Sequence, residues 1–258
     1  MRPLLALIKR EFTGYFLSPV GYVTLFFFLL VTGLLFAQAV EGLTQTGSQG
    51  IEYPYAVLFG ENGFWFVFSF IPPLLTMRLL AEERGTGTLE SLLTAPIRDW
   101  QVVAGKFIGA VLFYTLMLLP TLLYAPFLLK MKFPGNPIAT FGIDPAGMGL
   151  SYLGLFMVGM MFLAIGLYVS SLVKNQLVAA MIALAIGLVF IAAGFLLPYF
   201  DADSFASRSL RFLSVPDHFR LDFARGILDT RHLLLYFAVT VFCLFMTVKS
   251  LEARRLRA

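Results

Sequence analysis

The sequence predicts an all-α, polytopic membrane protein with six transmembrane helices, an N-terminal interfacial helix and a short cytoplasmic helix. Of its 258 residues, 59% are hydrophobic and only 13% are charged, whereas a soluble domain carries about 25% charged residues. A membrane span needs about 20 mostly apolar residues, and the charge-free runs approach or exceed that length. These runs are Val20–Val40, Asn62–Met77, Phe107–Leu129, Pro145–Val173, Asn175–Phe200 and His232–Val248.

Residues 1–18 predict an amphipathic helix that lies in the plane of the membrane interface. Lys9 and Arg10 stand among apolar positions, and Phe12 shares one face with other apolar residues. Such a helix buries its apolar face at the boundary between lipid headgroups and acyl chains. Pro19 ends it, because the residue before a proline is disfavoured in the helical conformation.

The first apolar run has a competing interpretation as the core of a cleaved signal peptide, since Ala37-Gln38-Ala39 resembles a cleavage site. However, the run from Val20 to Phe36 exceeds the roughly 7 to 15 residues of a signal peptide core. We therefore favour a first span that is retained in the protein.

Residues 80–100 form the densest mixed-charge stretch between two long apolar runs. Gly85 and Gly87 are expected to break the incoming helix. A short helix is then predicted from about Thr88 to Thr94, with one apolar face and one free face. Pro96 prevents its continuation. A short amphipathic helix between two spans is suited to contact something outside the membrane.

Lysine and arginine are concentrated on the side that holds the N-terminus, which predicts that both termini are cytoplasmic. The first outer loop, Glu41–Glu61, contains no basic residue, and the outside keeps Lys130, Lys132 and five arginines of residues 201–231. The basic residues assigned to the cytoplasm are Arg2, Lys9, Arg10, Arg78, Arg84, Arg98, Lys106, Lys174, Lys249, Arg254, Arg255 and Arg257.

Residues 201–231 form the largest extracytoplasmic segment and are predicted to contain short helices. Ser214 can cap a helix that carries two phenylalanines on one face, and Gly226 can end it. Asp229 can then cap the last span. The segment is either a functional surface or a capped, salt-bridged structural unit, and the sequence leaves both open.

The cytoplasmic stretch resembles that of ABC-2 type transporter permeases. The residues that carry the resemblance are Glu82, Glu83, the Gly-Thr-x-Glu pattern at Gly87, Thr88, Leu89 and Glu90, then Leu92, Leu93, Pro96, Gly105 and Lys106. The resemblance implies a single transmembrane domain over residues 1–258 whose loop 80–100 contains a coupling helix that docks on a separate ATPase subunit. The residues expected to couple to the ATPase are Glu82, Glu83, Gly87, Thr88, Leu89, Glu90, Leu92 and Leu93.

The same resemblance implies further partners and a location. The helix over residues 1–18, with Lys9, Arg10 and Phe12, would also lean on the ATPase. A second permease subunit, identical or related, is expected in the lipid bilayer of a bacterial inner membrane. ATP and magnesium would be bound by the ATPase, this chain would bind no cofactor, and no nucleic-acid partner is expected.

A narrower resemblance, to gliding-motility-associated (GldF-like) permeases, is carried by the extracytoplasmic segment and the C-terminus. Its residues are His218, Phe219, Phe223, Arg225, Gly226, Asp229 and Arg231, then Tyr236-Phe237 and the ending Ser250-Leu251-Glu252-x-Arg254-Arg255. The ABC-2 resemblance implies that ATP hydrolysis by the ATPase subunit drives export across the membrane, and the narrower resemblance suggests an alternative. In that alternative, the complex transmits mechanical work to an extracytoplasmic motility or envelope partner without moving a substrate.

The sequence contains no recognisable catalytic motif. Gly105-Lys106 is the only Gly-Lys pair, and Trp100 stands where a Walker A motif has its first glycine. The single cysteine, Cys243, and two histidines provide neither a disulfide framework nor a histidine-rich metal cluster. An intramembrane enzyme or channel would need paired polar groups at membrane depth, and the apolar runs show none. We therefore predict a permease that is not itself an enzyme.

Overall fold

The computed structural model describes residues 2–45, 59, 62–88, 97–124, 126, 132–133, 136–140, 145–196, 199–200 and 204–255. Over these residues the fold is almost entirely helical, as predicted. The long helices are α2 (Pro19–Gln45), α6 (Asp99–Leu118), α7 (Pro145–Leu172), α8 (Gln176–Leu196) and α11 (Thr230–Arg255). The shorter helices are α1 (Arg2–Leu17), α3 (Asn62–Phe68), α4 (Ile71–Thr76), α5 (Ala81–Gly85), α9 (Phe205–Leu213) and α10 (Val215–Leu221).

Five helical segments of the described chain are long and apolar enough to cross a membrane, which makes this a multi-pass membrane protein. Each of them coincides with one of the predicted spans. The last one extends beyond the short predicted run at both ends, because the polar residues that flank the run remain helical. The five segments are Pro19–Glu41, Asp99–Leu123, Ala146–Leu172, Gln176–Leu196 and Thr230–Arg255.

The remaining predicted span, Asn62–Met77, is not one continuous helix. It consists of α3 and α4, separated at Ser69 and Phe70, and its apolar helical stretch is shorter than the other five. Pro72 and Pro73 have no backbone N–H to donate to carbonyls of the preceding turn, and proline is favoured in the first turn of a new helix. The sequence predicts one span here, and the structure has two short helices instead.

One element of the described chain departs from the all-α prediction. Strands β1 (Lys132–Phe133) and β2 (Asn136–Thr140) form an antiparallel hairpin in the connection between α6 and α7. In the third predicted span, Phe107–Leu129, the described residues are 107–124 and 126. Its helix gives way to a 3-10 turn at Leu119–Leu123, in which Pro120 removes a backbone donor.

Helix α7 lies at the centre of the fold. It packs along most of α11 and also contacts α4, α6 and α8. Its residues Leu155, Val158, Met161 and Leu163 are buried. By contrast, α2 and α8 expose large apolar side chains along their length. Such exposure is typical of helices that face lipid or another membrane subunit.

The two ends of the described chain lie on the same side of the helical layer, which we call the terminal side. Glu11 of α1 pairs with Lys106 near the start of α6, and Asp99 pairs with Arg255 at the end of α11. On the opposite side, the short helices α9 and α10 cover the ends of α8 and the central helix. The predicted topology requires both ends on one side, and this arrangement agrees with it.

Candidate functional site

The terminal side carries a compact group of charged side chains, which we call the polar layer. They come from α1, α5, the start of α6 and the turn between α4 and α5. Every acidic member of the group lies within ion-pairing distance of a basic member. The members are Arg10, Glu11, Arg78, Glu82, Glu83, Arg84 and Lys106.

The ammonium of Lys106 is the centre of the polar layer, and its side chain is only 2% exposed. Its Nζ donates to Glu11 Oε1 at 3.0 Å and to Glu83 Oε1 at 2.8 Å. Glu83 Oε1 also accepts from Arg10 Nη2 at 3.3 Å. A buried ammonium is costly unless it is paired and hydrogen-bonded. Lys106 therefore holds α1 and α5 at the same point on α6.

Helix α1 reaches α6 closely enough for this pairing because α6 has glycines on the contact face. A Cβ atom at Gly105 would lie 2.9 Å from Leu7 Cβ, and one at Gly109 would lie 2.7 Å from Glu11 Cβ. Small residues spaced four apart allow two helices to approach each other in this way. The two glycines thus set the position of the Glu11 carboxylate.

Tyr15 makes a second contact between α1 and the spans. Its ring stacks on Phe113 of α6, with centroids 4.6 Å apart, and its hydroxyl donates to the Leu75 carbonyl of α4 at 2.8 Å. Burial, followed by the charge of Glu11, raises the pKa of Tyr15. The phenol therefore stays protonated and remains a hydrogen-bond donor.

Side chains fix both ends of α5 to the end of α7. At the start of α5, Ser170 Oγ accepts from the backbone N–H groups of Leu80 and Ala81 at 3.1 and 2.9 Å. These N–H groups would otherwise be unpaired at the helix N-terminus. The start of α5 therefore cannot shift without breaking two hydrogen bonds to the central helix.

At the other end of α5, Arg84 caps the C-terminus of α7. Its Nη1 donates to the carbonyls of Ser171 and Val173 at 2.6 and 2.9 Å, groups that have no partner within their own helix. Burial, followed by the positive charge of Arg254, lowers the pKa of the Arg84 guanidinium. Arg84 joins α5 to the turn that connects α7 and α8.

A second buried polar cluster lies on the opposite side of the protein, around His218 of α10. The side chain is 2% exposed, with Nδ1 at 2.6 Å from Tyr236 Oη and Nε2 at 3.2 Å from the Arg211 carbonyl oxygen. Its ring stacks on His232 at a centroid distance of 3.6 Å. Burial, followed by the proximity of His232, lowers the pKa of His218 to about 3. The imidazole is therefore neutral.

Residues 5–220 of the chain match the family model described as ABC-2 family transporter protein. The match runs from α1 through almost all of α10 and covers most of the chain. The chain belongs to the ABC-2 transporter family. It is therefore the membrane permease subunit of an ABC transporter, a kind of subunit that is typically not catalytic itself, and the family implies an ABC ATPase partner. No curated protein matches the chain.

Within this ABC-2 permease, the predicted ATPase-coupling residues divide into two groups. Glu82 and Glu83 lie in α5 and are paired inside the chain, Glu82 with Arg78 at 2.9 Å and Glu83 within the Lys106 cluster. Their docking on an ATPase stays a prediction. The other group follows α5 in the chain. Gly87 and Thr88 are described, whereas Leu89, Glu90, Leu92 and Leu93 lie outside the described residues.

The predicted glycine break between α5 and the coupling helix is confirmed. Helix α5 ends at Gly85, and Gly87 has a φ of 76°, in the left-handed region that favours glycine. Thr88 is exposed, and its hydroxyl oxygen lies 2.9 Å from that of Thr86. The chain therefore changes direction just before the predicted coupling helix.

The predicted interfacial residues of the ABC-2 permease all lie on α1, which is helical as expected. Lys9 is exposed, Arg10 joins the Lys106 cluster, and Phe12 is half-buried. Helix α1 also exposes Leu5 at 65% and Leu17 at 86%. Exposed leucines beside basic residues are typical of a helix at a membrane interface.

The predicted extracytoplasmic residues of the permease have different environments. Phe219 and Phe223 are buried, whereas Arg225 is exposed. Asp229 caps the last span as predicted, since its Oδ1 accepts from the Arg231 backbone N–H at 2.8 Å. Ser214 stands at the N-cap position of α10, as predicted. The prediction that its side chain caps the helix is wrong, because that side chain makes no capping hydrogen bond.

Asp222, Asp229 and His232 place three potential metal-ligating atoms within 4.8 Å of one another. We interpret them as a hydrogen-bonded group. His232 Nε2 lies 3.1 Å from Asp222 Oδ2, while its Nδ1 is buried without a partner in the described chain. A metal-bound imidazole almost always donates its second N–H to an acceptor. That second hydrogen bond is missing here.

Sequence reasoning missed most of the polar layer. Glu11 belongs to no recognisable motif, and the distribution of basic residues assigns Arg78 and Lys106 to the cytoplasmic side without indicating an ion-pair partner for either. The spacing of four residues between Arg78 and Glu82 is a usable signal for an ion pair on one helix face. The other pairs join residues that are far apart in sequence, and no local pattern indicates them.

Proposed function

We propose that this permease couples ATP hydrolysis by a separate ATPase subunit to export across the membrane, and that the polar layer transmits the coupling. The observation that carries the proposal is the position of Lys106, which joins α1 and α5 to α6 through two buried ion pairs. Helix α5 leads directly into the predicted coupling helix at residues 88–94. A buried ion pair resists separation, so movement of that helix is passed to α1 and the spans.

We also propose that the chain crosses the membrane six times. Helices α2 and α6 both begin at the terminal side, so the chain between them must return across the layer. The segment α3–α4 is suited to this return. Trp65 near its start packs on Phe219 of the opposite side, with ring centroids 4.6 Å apart, and Leu75 near its end accepts from Tyr15.

The distribution of lysine and arginine supports a cytoplasmic terminal side. The topology is tested with single cysteines in a Cys243→Ser background. We expect Ser204→Cys to react with an impermeant thiol reagent from outside the cell and Ser91→Cys to react only after permeabilisation. Reversed labelling of the two sites would contradict the proposed orientation.

The coupling proposal is tested by purifying the permease with its ATPase and measuring a conformational response at the far side. Tyr199, which is 84% exposed, is replaced by cysteine, and its labelling rate is compared with and without ATP and vanadate. We expect a nucleotide-dependent rate. Glu90→Arg and Leu92→Asp should abolish the dependence, because they alter the charge or insert a charge into the apolar docking face.

Glu252→Arg provides the matched control for that experiment. It reverses a charge on the same side of the protein, in an exposed pair with Lys249, and it leaves the coupling loop unchanged. The control should keep the nucleotide-dependent labelling. If Glu90→Arg and Leu92→Asp also keep it, the loop does not couple the two subunits.

The resemblance to gliding-motility-associated permeases and the mechanical alternative stay predictions. The family match ends at residue 220, before Phe223, Arg225 and Asp229. His218 and Phe219 are buried inside the permease, where a partner protein cannot contact them. Arg225 is exposed, and its replacement by glutamate would test whether an extracytoplasmic partner binds there.

A further inference from the structure

A cavity of about 470 Å³ lies next to the polar layer, between α1, the start of α2, α4 and α5. One end of the cavity is charged and the other is apolar. The apolar end includes Leu17, Val20 and Leu74, and the charged end combines three cations with three carboxylates, namely Arg10, Arg78, Lys106, Glu11, Glu82 and Glu83. A ligand that fills this space needs a polar group and a hydrocarbon part.

The unused hydrogen-bonding capacity at the charged end includes donors of both arginines, beside one buried acceptor that has no partner in the described chain, Glu83 Oε2. Arg78 donates through Nε to Glu82 and through Nη1 to Ser18 Oγ, and Arg10 donates through Nη2 to Glu83. Within the described chain, no acceptor faces Arg78 Nη2 or the Nε and Nη1 atoms of Arg10. A guanidinium has five N–H donors in a fixed fork, and paired forks bind phosphate oxygens well.

The position of the cavity favours a lipid over a soluble phosphate. Its wall includes Leu17 and Val20, which flank the start of the first span, and Leu17 is 86% exposed. A soluble phosphate would make no use of the apolar end. A phospholipid has its phosphate and its acyl chains in the order that the cavity requires.

We propose that this cavity binds a membrane phospholipid, with the phosphate between Arg10 and Arg78 and the upper part of an acyl chain against Leu17, Val20 and Leu74. The site is separate from ATP binding, and it can be tested on the permease alone. Because the same cavity borders α1 and α5, a bound lipid would contact both helices that meet at Lys106.

Gly14 offers a way to block the cavity without damaging the fold. It lines the cavity, and a Cβ atom placed on it would meet no other atom within 4 Å. Leucine is also a better helix former than glycine, so Gly14→Leu should fold and occupy the cavity. Gly149→Leu is the matched control, because Gly149 is helical, equally free of neighbours and outside the cavity.

The test uses full-length permease that has been delipidated in detergent. Binding of dioctanoyl phosphatidylglycerol is followed by the rise in the thermal unfolding midpoint across a lipid titration. We expect wild type and Gly149→Leu to bind with the same affinity. Gly14→Leu and Arg78→Gln should bind at least about tenfold more weakly, as expected when shape or a charge-assisted hydrogen bond is lost.

Two further additions identify the ligand chemistry. Inorganic phosphate and dioctanoylglycerol should each give a smaller rise than the phospholipid, because each supplies only one of the two parts. A full response to phosphate alone would show that the site binds a soluble anion. A full response to dioctanoylglycerol would show that the arginines do not contribute to binding. Either result would contradict the phospholipid assignment. Equal binding by Gly14→Leu and Gly149→Leu would overturn the proposal.

A protein occupant is distinguished by the reactivity of Gly14→Cys in a Cys243→Ser background. The phospholipid should slow the reaction of this cysteine with a maleimide, and Gly149→Cys should be unaffected. Protection by the purified ATPase in the absence of lipid, without protection by the phospholipid, would show that the cavity is a protein contact and would overturn the lipid assignment.

Discussion

Replacing Lys106 with methionine is the most direct test of the polar layer. The substitution keeps a long unbranched side chain and removes the charge, so Glu11 and Glu83, whose side chains are only 14% and 13% exposed, lose their shared cation. Breaking a buried ion pair by removing one partner costs about 3–5 kcal/mol. Arg10 still contacts Glu83, so we expect the lower end of this range.

The effect is measured as the thermal unfolding midpoint in detergent, followed by tryptophan fluorescence, which includes the buried Trp65. For chains of about this size, 1 kcal/mol corresponds to roughly 2–4 °C. Lys106→Met should therefore lower the midpoint by about 6–12 °C. Lys249→Met is the control. Its pair with Glu252 is exposed, and exposed pairs contribute at most about 1 kcal/mol.

A compensated variant separates stability from coupling. Combining Lys106→Met with Glu11→Gln and Glu83→Gln removes all three charges, and neutral groups of similar volume often replace a buried ion network at little cost. This variant should recover about half or more of the lost midpoint and still fail to respond to ATP. Equal midpoints for Lys106→Met and Lys249→Met would refute the buried anchor, and a normal ATP response in the compensated variant would refute its role in coupling.

Three further results are expected. Gly109→Ala should destabilise the permease, because its Cβ would lie 2.7 Å from Glu11 Cβ. Gly149→Ala has no neighbour within 4 Å and should stabilise the helix by up to about 1 kcal/mol. Equal unfolding midpoints for the two variants would contradict the close contact at Gly109. Gly87→Ala should cost about 1 kcal/mol, because a φ of 76° strains alanine, and an unchanged midpoint would contradict the turn. Burial lowers the pKa of His218 to about 3 from 6.5, so the unfolded chain binds a proton that the folded chain excludes between these values. Stability should fall by about 1.4 kcal/mol per pH unit as the pH decreases through this window, and His218→Gln should remove that slope in melts between pH 4 and 7.

The features that the sequence predicted correctly are local ones. Helix α8 was visible as the charge-free run Asn175–Phe200, and the turns at Gly87 and Gly226 were visible as glycines at the ends of apolar or helical patterns. The segment α3–α4 was predicted only in part. The run Asn62–Met77 has the composition of a span, but its two prolines start a helix instead of bending one. Composition alone does not distinguish these outcomes.

The ion pairs of the polar layer could not be predicted, because their partners are distant in sequence. Lys106 is 95 residues from Glu11 and 23 residues from Glu83. A lysine at the end of an apolar run normally extends to the membrane surface, so no local feature of the sequence indicates that Lys106 is buried. Its burial depends on the approach of α1 to Gly105 and Gly109, which is a property of the packed helices.

The order of the residues in the Lys106 cluster has a consequence for biosynthesis. Glu11 and Glu83 both leave the ribosome before Lys106, and translation of the 95 residues that separate Glu11 from Lys106 takes roughly 5–20 s at 5–20 residues per second. During that interval the Glu11 carboxylate has no lysine partner. The contact of α1 with Lys106, Gly105 and Gly109 can form only after the start of the span at Asp99 has been made, so this part of the terminal side waits for that span.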